Sequence, residues 1–418
     1  MDTSAGSSSP SPGRSAQPPG RSADTEPGTD LWLNRGVAGI GAASFFADVG
    51  HEVPTALLPS FLTGTLGASA SALGVIEGVS DGLAGAARVA GGAIADDPER
   101  RRAVAVGGYT TTAALGALIG AASTVWQVGI LRTASWTARG LRVPARNALL
   151  ADLVPAHMYG RAYGFERTMD NLGAIVGPLL ALLLVSIVGT REAIYLSIVP
   201  GLLAALSIVY AIRHTKRPRR SKRASIQIRI RPVLQGRLRT LMIAIGAFEI
   251  GNVAATLLVL RATELLEPGR SHDGAVELAL ALYVAYNVAA TFGSYPAGHM
   301  VDRIGATTVL LFGVALFAVA YGGFAVDTSS PALLGLWFVI AGSAIGCVET
   351  AEHAAVANDA SADLRGSAFG LLAGIQSFGN FASSTVAGVI WAAVSPTTAF
   401  VYIIAWMIVA TALLVRAR

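Results

Sequence analysis

Charge is what this chain has least of. Only 14% of its 418 residues are Asp, Glu, Lys or Arg, against about 25% in a soluble domain. The deficit, with repeated apolar stretches of roughly 20 residues, argues against a soluble globular fold and predicts a polytopic α-helical membrane protein. Short alternating strands with turn signals are missing, so an outer-membrane barrel is not expected. Cys347 is the single cysteine, which excludes an intramolecular disulfide framework and any cysteine metal cage. It reads as a small apolar helix residue. No Gly-x4-Gly-Lys-Ser/Thr or His-Glu-x-x-His occurs, so neither an ATPase engine nor an enzyme is expected, and no cofactor. The first 30 or so residues are rich in Ser, Pro and Gly and lack the apolar core of a signal peptide. They read as a disordered cytoplasmic tail.

Twelve apolar spans follow, at about 36–63, 71–94, 103–122, 125–151, 160–188, 192–212, 239–262, 275–300, 307–326, 331–357, 366–392 and 396–415. Eleven of the 31 Lys and Arg residues fall between Arg213 and Arg239, with no Asp or Glu among them. A nucleic-acid partner is not expected from such a block between spans. It reads as a cytoplasmic loop set by the positive-inside rule, able to touch anionic lipid. Arg100, Arg101 and Arg102, this loop, and Arg416 and Arg418 all fall on one side. The links after the first, third, ninth and eleventh spans carry no Lys or Arg. Both termini are therefore expected to be cytoplasmic, in the inner (plasma) membrane. The expected organisation is a tail (1–30), a six-helix half (31–212), a basic linker (213–238) and a second half (239–418), working as a monomer.

A shift of 206 residues lays Gly92–Asp96 over Gly298–Asp302, Gly160–Gly164 over Gly366–Gly370, and Gly173 over Gly379. Matches this far apart at one offset imply two parallel repeats, with a substrate site between the halves near the membrane midplane.

The stretch Gly298 to Gly305 resembles the loop motif G-x-x-x-D-R-x-G of the major facilitator superfamily, with Asp302 and Arg303 at its charged positions. Gly92 to Arg101 resembles the equivalent loop after the second helix, with Asp97 where Arg is usual and Glu99 where Gly is usual. Arg132 stands at the place of the family's fourth-helix arginine, followed by Ser135-Trp136 rather than Gln-Gly. Gly173 to Pro178, including Gly177 and Pro178, is similar to the glycine-proline motif of the family's antiporters, without the trailing Gly pair. The resemblance covers about Gly36 to Arg418. It implies an all-α fold of twelve transmembrane helices in two six-helix repeats, alternating access by rocking of the halves, and a central cavity lined by helices 1, 4, 7 and 10. Gly92, Asp96, Gly298, Asp302, Arg303, Gly177 and Pro178 are then gate-motif residues.

Ionisable residues inside the spans are the candidates for chemistry, because charge at bilayer depth is costly and usually faces water or a partner. Asp48, His51 and Glu52 stand at i, i+3 and i+4 on one face of the first helix, roughly 18–24 Å along it. Pro54 and Pro59 follow and can kink it. Glu77 and Asp81 share a face of the second helix with Arg88. The fourth helix carries a stripe of Arg132, Arg139, Arg142 and Arg146, the last expected to snorkel to the cytoplasmic face. Anion binding, proton coupling and neutralisation by Glu77, Asp81, Glu166 or Asp170 are open for this stripe. Glu166 and Arg167 are expected near the cytoplasmic end, Asp170 and Asn171 deeper. Glu249 lies about 15 Å along the seventh helix, with Asn252 at i+3, and reads as a proton site. Glu349, Glu352 and His353 repeat the i, i+3, i+4 spacing on the tenth helix. Gln376 and Asn380 on the eleventh read as interhelical glue.

The expected function is a secondary transporter of a small polar or charged solute, exporting it against protons. Aromatic residues are few in the presumed cavity helices, which argues against a large greasy pocket. Two alternatives stand beside it. One is an exporter of a divalent metal or metal chelate held between the two Asp/Glu/His faces. The other is a receptor or scaffold on the same fold.

Overall fold

The computed structural model describes residues 2–3, 31–215 and 226–417. The rest of the expected tail, and 216–225 of the expected linker, lie outside the described residues.

Among the described residues, twelve long helical spans follow from Arg35 on. They are α1 (Arg35–Ser60), α2 (Ala70–Ala95), α3 (Pro98–Leu118), α4 (Val125–Ala151), α5 (Tyr159–Val188) and α6 (Thr190–Arg213). The second six are α7 (Gly236–Leu266), α8 (His272–Ile304), α9 (Ala306–Ala325), α10 (Pro331–Asp359), α11 (Arg365–Ala393) and α12 (Pro396–Ala417). Polar side chains start several of them. Asn34 accepts from the Gly36 and Val37 N–H groups at 2.9 and 3.0 Å. Gln127 accepts from the Ser123 and Thr124 N–H groups at 2.8 and 3.3 Å. Both satisfy first-turn donors that the helix leaves free.

Among the described residues, eight helices are long and apolar enough to cross a membrane on their own composition. The four that fall short, α1, α2, α4 and α11, each carry polar side chains, among them Asp48, Arg88, Arg139 and Gln376, that line an internal cavity. Their outer partners are greasier: Leu179, Leu182, Leu183 and Ile187 on α5 and Leu202 and Leu206 on α6 are exposed, as a lipid-facing surface requires.

Two spans are less regular than expected. α1 runs through Pro54, but two residues after Pro59 it widens into a π turn over Phe61–Thr65. Proline removes a backbone donor and clashes with the preceding turn, so a loosened turn is the local response. α7 is not continuous: it is Gly236–Gly251 and Ala255–Leu266, broken at 252–254. The freed backbone is satisfied by α11. The Asn380 amide donates to the Asn252 carbonyl at 3.2 Å, and the Ala254 N–H donates to Ser384 Oγ at 2.9 Å. Interrupted helices survive in membranes only where neighbours supply such partners.

The halves meet mainly along α2 with α11 and α5 with α8. These are the helix pairs that the 206-residue repeat interchanges.

Candidate functional site

Two reciprocal locks join the halves at the end of the bundle that bears the repeated loops. Asp302, in the last turn of α8, accepts from the Gly160 N–H at 2.7 Å, the Arg161 N–H at 3.2 Å and Arg161 Nε at 2.6 Å, all at the start of α5. Asp96, which caps the C-terminal end of α2, accepts from the Ser367 N–H at 2.7 Å and its hydroxyl at 2.5 Å, at the start of α11. A carboxylate is well placed there, since helix N-termini present free N–H groups and positive potential. Burial pushes the Asp96 carboxyl above its usual range, while the Ser367 contacts pull it back. Glycine makes the approach possible. A Cβ on Gly160 would lie 2.3 Å from the Gly298 carbonyl oxygen, and one on Gly92 2.6 Å from that of Gly366. Arg303 is exposed beside its lock.

Ser367 and Arg161 were not among the residues singled out as candidates. The repeat held the signal, because Gly160-Arg161 and Gly366-Ser367 occupy equivalent positions. Asp152 was missed as well. It pairs with buried Arg101 at 2.5 Å and with Arg365 of α11 at 3.1 Å, a third tie between the halves.

The candidate acids of the N-terminal half, Asp48, Glu52, Glu77, Asp81, Glu166 and Asp170, each have a partner among the described residues. Asp48 lies 3.2 Å from Arg139 and 3.2 Å from His51 Nδ1, and His51 Nε2 lies 3.1 Å from Glu52. His51 therefore has a carboxylate at each ring nitrogen, an arrangement only the doubly protonated ring satisfies as a donor twice over. Glu77 pairs with Arg132 at 3.1 Å, and Arg132 stacks 3.5 Å from the Trp136 ring centroid. Asp81 accepts from the Trp136 indole at 2.6 Å. Trp136, which departs from the family pattern, thus ties α4 to the acids of α2.

Arg146 does not snorkel. It is 4% exposed and sits 2.9 Å from Glu166 and 3.1 Å from Asp170. Arg167 closes the cluster at 2.8 Å from Glu166 and 3.3 Å from Asp170. Two inward carboxylates on the adjacent helix hold the Arg146 guanidinium inside, where it gains more than by reaching the interface. Glu166 and Arg167 are accordingly buried. Arg167 also reaches Glu349 of the other half at 3.9 Å.

The C-terminal half is built differently. Glu249 contacts only the Asn252 amide, at 3.1 Å, among its described hydrogen bonds. Glu352 is wholly buried; the Gln376 amide donates to one of its oxygens at 2.8 Å and the other has no partner. Neither carboxylate has a cation within ion-pairing distance among the described residues. The shared i, i+3, i+4 spacing does not give α10 the geometry of α1. Glu349 turns to Arg167 and Glu352 to Gln376. His353 sets its Nδ1 2.7 Å from the Glu349 carbonyl, with its ring against Tyr163 and Phe369. The two faces do not converge, and no group of three or more His, Cys, Asp or Glu is placed to hold a metal ion among the described residues.

Between the halves lies a cavity of about 370 Å³. Asp48, Arg139, Arg142 and Asp170 line one wall; Glu249, Asn252, Glu349 and His353 line the other. Such a volume suits a small molecule. Glycines of α5 and α11 back the two walls. A Cβ on Gly177 would lie 2.4 Å from Glu52 Cβ, and one on Gly379 2.4 Å from Glu249 Cβ.

A polar cavity between two repeated helical bundles, closed at one end by matched locks, defines a membrane transporter rather than an enzyme. The family model of the Major Facilitator Superfamily matches residues 40–282 and 269–418. The chain belongs to that superfamily. It is 27% identical over 375 residues to an uncharacterised MFS-type transporter of Methanocaldococcus jannaschii, covering 89% of this chain and 92% of that one. It is 28% identical over 276 residues to the multidrug resistance protein MdtG of Escherichia coli O1:K1, covering 63% of this chain and 64% of that one. Among solved structures, a bacterial homologue of the iron transporter ferroportin in its outward-facing state shares the fold, with TM-score 0.74, 12% identity, and coverage of 92% of this chain and 99% of that one.

Proposed function

We propose that the protein exports a small polar or charged solute across the inner membrane in exchange for protons, and that the proton is carried in the C-terminal half. The observation that carries this reading is Glu352: a wholly buried carboxyl with one oxygen unpartnered and no cation in reach. A buried charge without a partner is expensive, so such a group is stable as the neutral acid. Glu249, the other acid of this half without a cation partner among the described residues, lines the cavity. The paired acids of the N-terminal half, Asp48, Glu77, Glu166 and Asp170, then serve as structural ion pairs that shape the cavity wall.

The locked end of the bundle is read as cytoplasmic, in keeping with the basic loops, so the conformation is outward-facing. In this scheme a proton arriving from outside neutralises Glu352, the halves rock, the Asp96 and Asp302 locks open, and release of the proton inside accompanies loading of cargo. The protein acts as a monomer, with residues 31–212 and 239–418 as the moving halves and 213–238 as the connection. Similarity to MdtG supports export.

The test is a flux measurement in proteoliposomes loaded with a pH-sensitive dye, challenged with a panel of small solutes. Wild type should move protons when a transported solute is added. Glu352→Gln should stop that proton movement while still exchanging labelled for unlabelled solute. Proton movement by Glu352→Gln equal to wild type would remove the assignment.

A further inference from the structure

Five arginines line the cavity, and they are not alike. Arg139, Arg146 and Arg167 each lie within 3.3 Å of a carboxylate. Arg88 of α2 and Arg142 of α4 have no such partner among the described residues. Arg142 is 2% exposed; it stacks 3.9 Å from the Tyr109 ring centroid, and its Nε and Nη1 meet no acceptor. Arg88 donates from Nη1 to Ser377 of α11, and its Nε meets no acceptor. Both side chains line the same cavity.

Stacking on tyrosine does not replace the hydrogen bonds a guanidinium loses on burial. Two guanidinium groups without a carboxylate partner, lining one cavity, make a receptor for a compact anion, because charge-assisted forked hydrogen bonds are the strong ones. The opposite wall has another character. Asn252, Gln376 and Asn380 offer neutral donors and acceptors, and Glu249 and Glu349 would repel a second negative group. The volume of about 370 Å³ admits an organic molecule rather than a bare ion.

We propose that Arg88 and Arg142 form the subsite for the acidic head of a small organic monoanion whose polar remainder faces the amide wall. This rests on the transport reading for its meaning, but binding can be measured without it. Carboxylate and phosphate heads share the chemistry, and the choice of probes separates them.

The experiment is thermal unfolding of the purified full-length protein with matched probes at constant pH and ionic strength: lactate against lactamide, and benzoate and phenyl phosphate against benzamide. The acids should raise the melting temperature and the amides should not. The stronger of benzoate and phenyl phosphate identifies the preferred head. Arg88→Gln and Arg142→Gln should each weaken acid binding about tenfold or more. If Arg142→Gln does not fold, Arg88→Gln and Arg88→Lys carry the test, with the lysine variant intermediate because it keeps charge and loses the fork. Equal stabilisation by amides, no stabilisation by any acid, or acid binding unchanged in Arg88→Gln would overturn the subsite. Arginine-dependent acid binding without flux would keep the subsite and remove transport. Flux of a neutral or cationic solute would do the reverse.

Discussion

At the scale of single residues, pairing separates scaffold from candidate machinery. Arg146 pairs at once with buried Glu166 and half-buried Asp170, whereas Arg139, half-buried, meets one carboxylate. Arg146→Ala would leave Glu166 and Asp170 with Arg167 alone, a loss of about 3–5 kcal/mol for breaking a buried pair. Arg139→Ala should cost about 1 kcal/mol or less, as a partly solvated pair does. Denaturation of the two purified variants against wild type checks the order. The candidates themselves were visible in the sequence, because an ionisable residue inside an apolar span stands out. Their partners were not. The sequence placed Arg146 at the interface by its distance from the helix end, but tertiary contact with Glu166 and Asp170 decided its position. Nor could spacing tell Glu352, left without a cation, from Asp48, left with two basic neighbours.

At the scale of helices, glycine sets how closely α5 packs on α1 and α11 on α7. α5 touches α1 at Gly173 and Gly177, where a Cβ would fall 2.6 Å from the Phe45 carbonyl oxygen and 2.4 Å from Glu52 Cβ. Gly177→Ala must push α1 and α5 apart and should lower stability by about 1–3 kcal/mol, read from the shift in thermal unfolding. Gly78→Ala on α2, where an added Cβ meets nothing within 4 Å, is the control and should be neutral or slightly stabilising. Helix number and order followed directly from hydropathy. The break in α7 did not, because no proline or glycine marks 252–254. It depends on Asn380 and Ser384, more than a hundred residues on. The departures from the family loop after α2 also gain a cause: Asp97 caps α3, accepting from the Glu99 N–H at 2.9 Å, and Pro98 and Glu99 open its first turn.

At the scale of the whole molecule, the repeat becomes a pair of interchanged locks. The end of α8 grips the start of α5, and the end of α2 grips the start of α11. The repeat and the loop motifs were legible as sequence; the cross-half partners required the fold. Asp302 accepts three donors and Asp96 two. Asp302→Asn should therefore shift the population further toward the opposite-facing state than Asp96→Asn. Spin labels placed across the locked end would show a longer distance in a larger fraction of molecules. An unchanged distance distribution in both variants would remove the gate role proposed for these loops.

The division of labour between the halves has a direct, cargo-free test. Infrared difference spectra recorded during a pH titration report protonated carboxyl groups inside the protein. Glu352→Gln should remove a carboxylic-acid band that Asp48→Asn and Asp170→Asn both retain. A band unaffected by Glu352→Gln, or abolished by Asp48→Asn, would contradict a proton held in the C-terminal half.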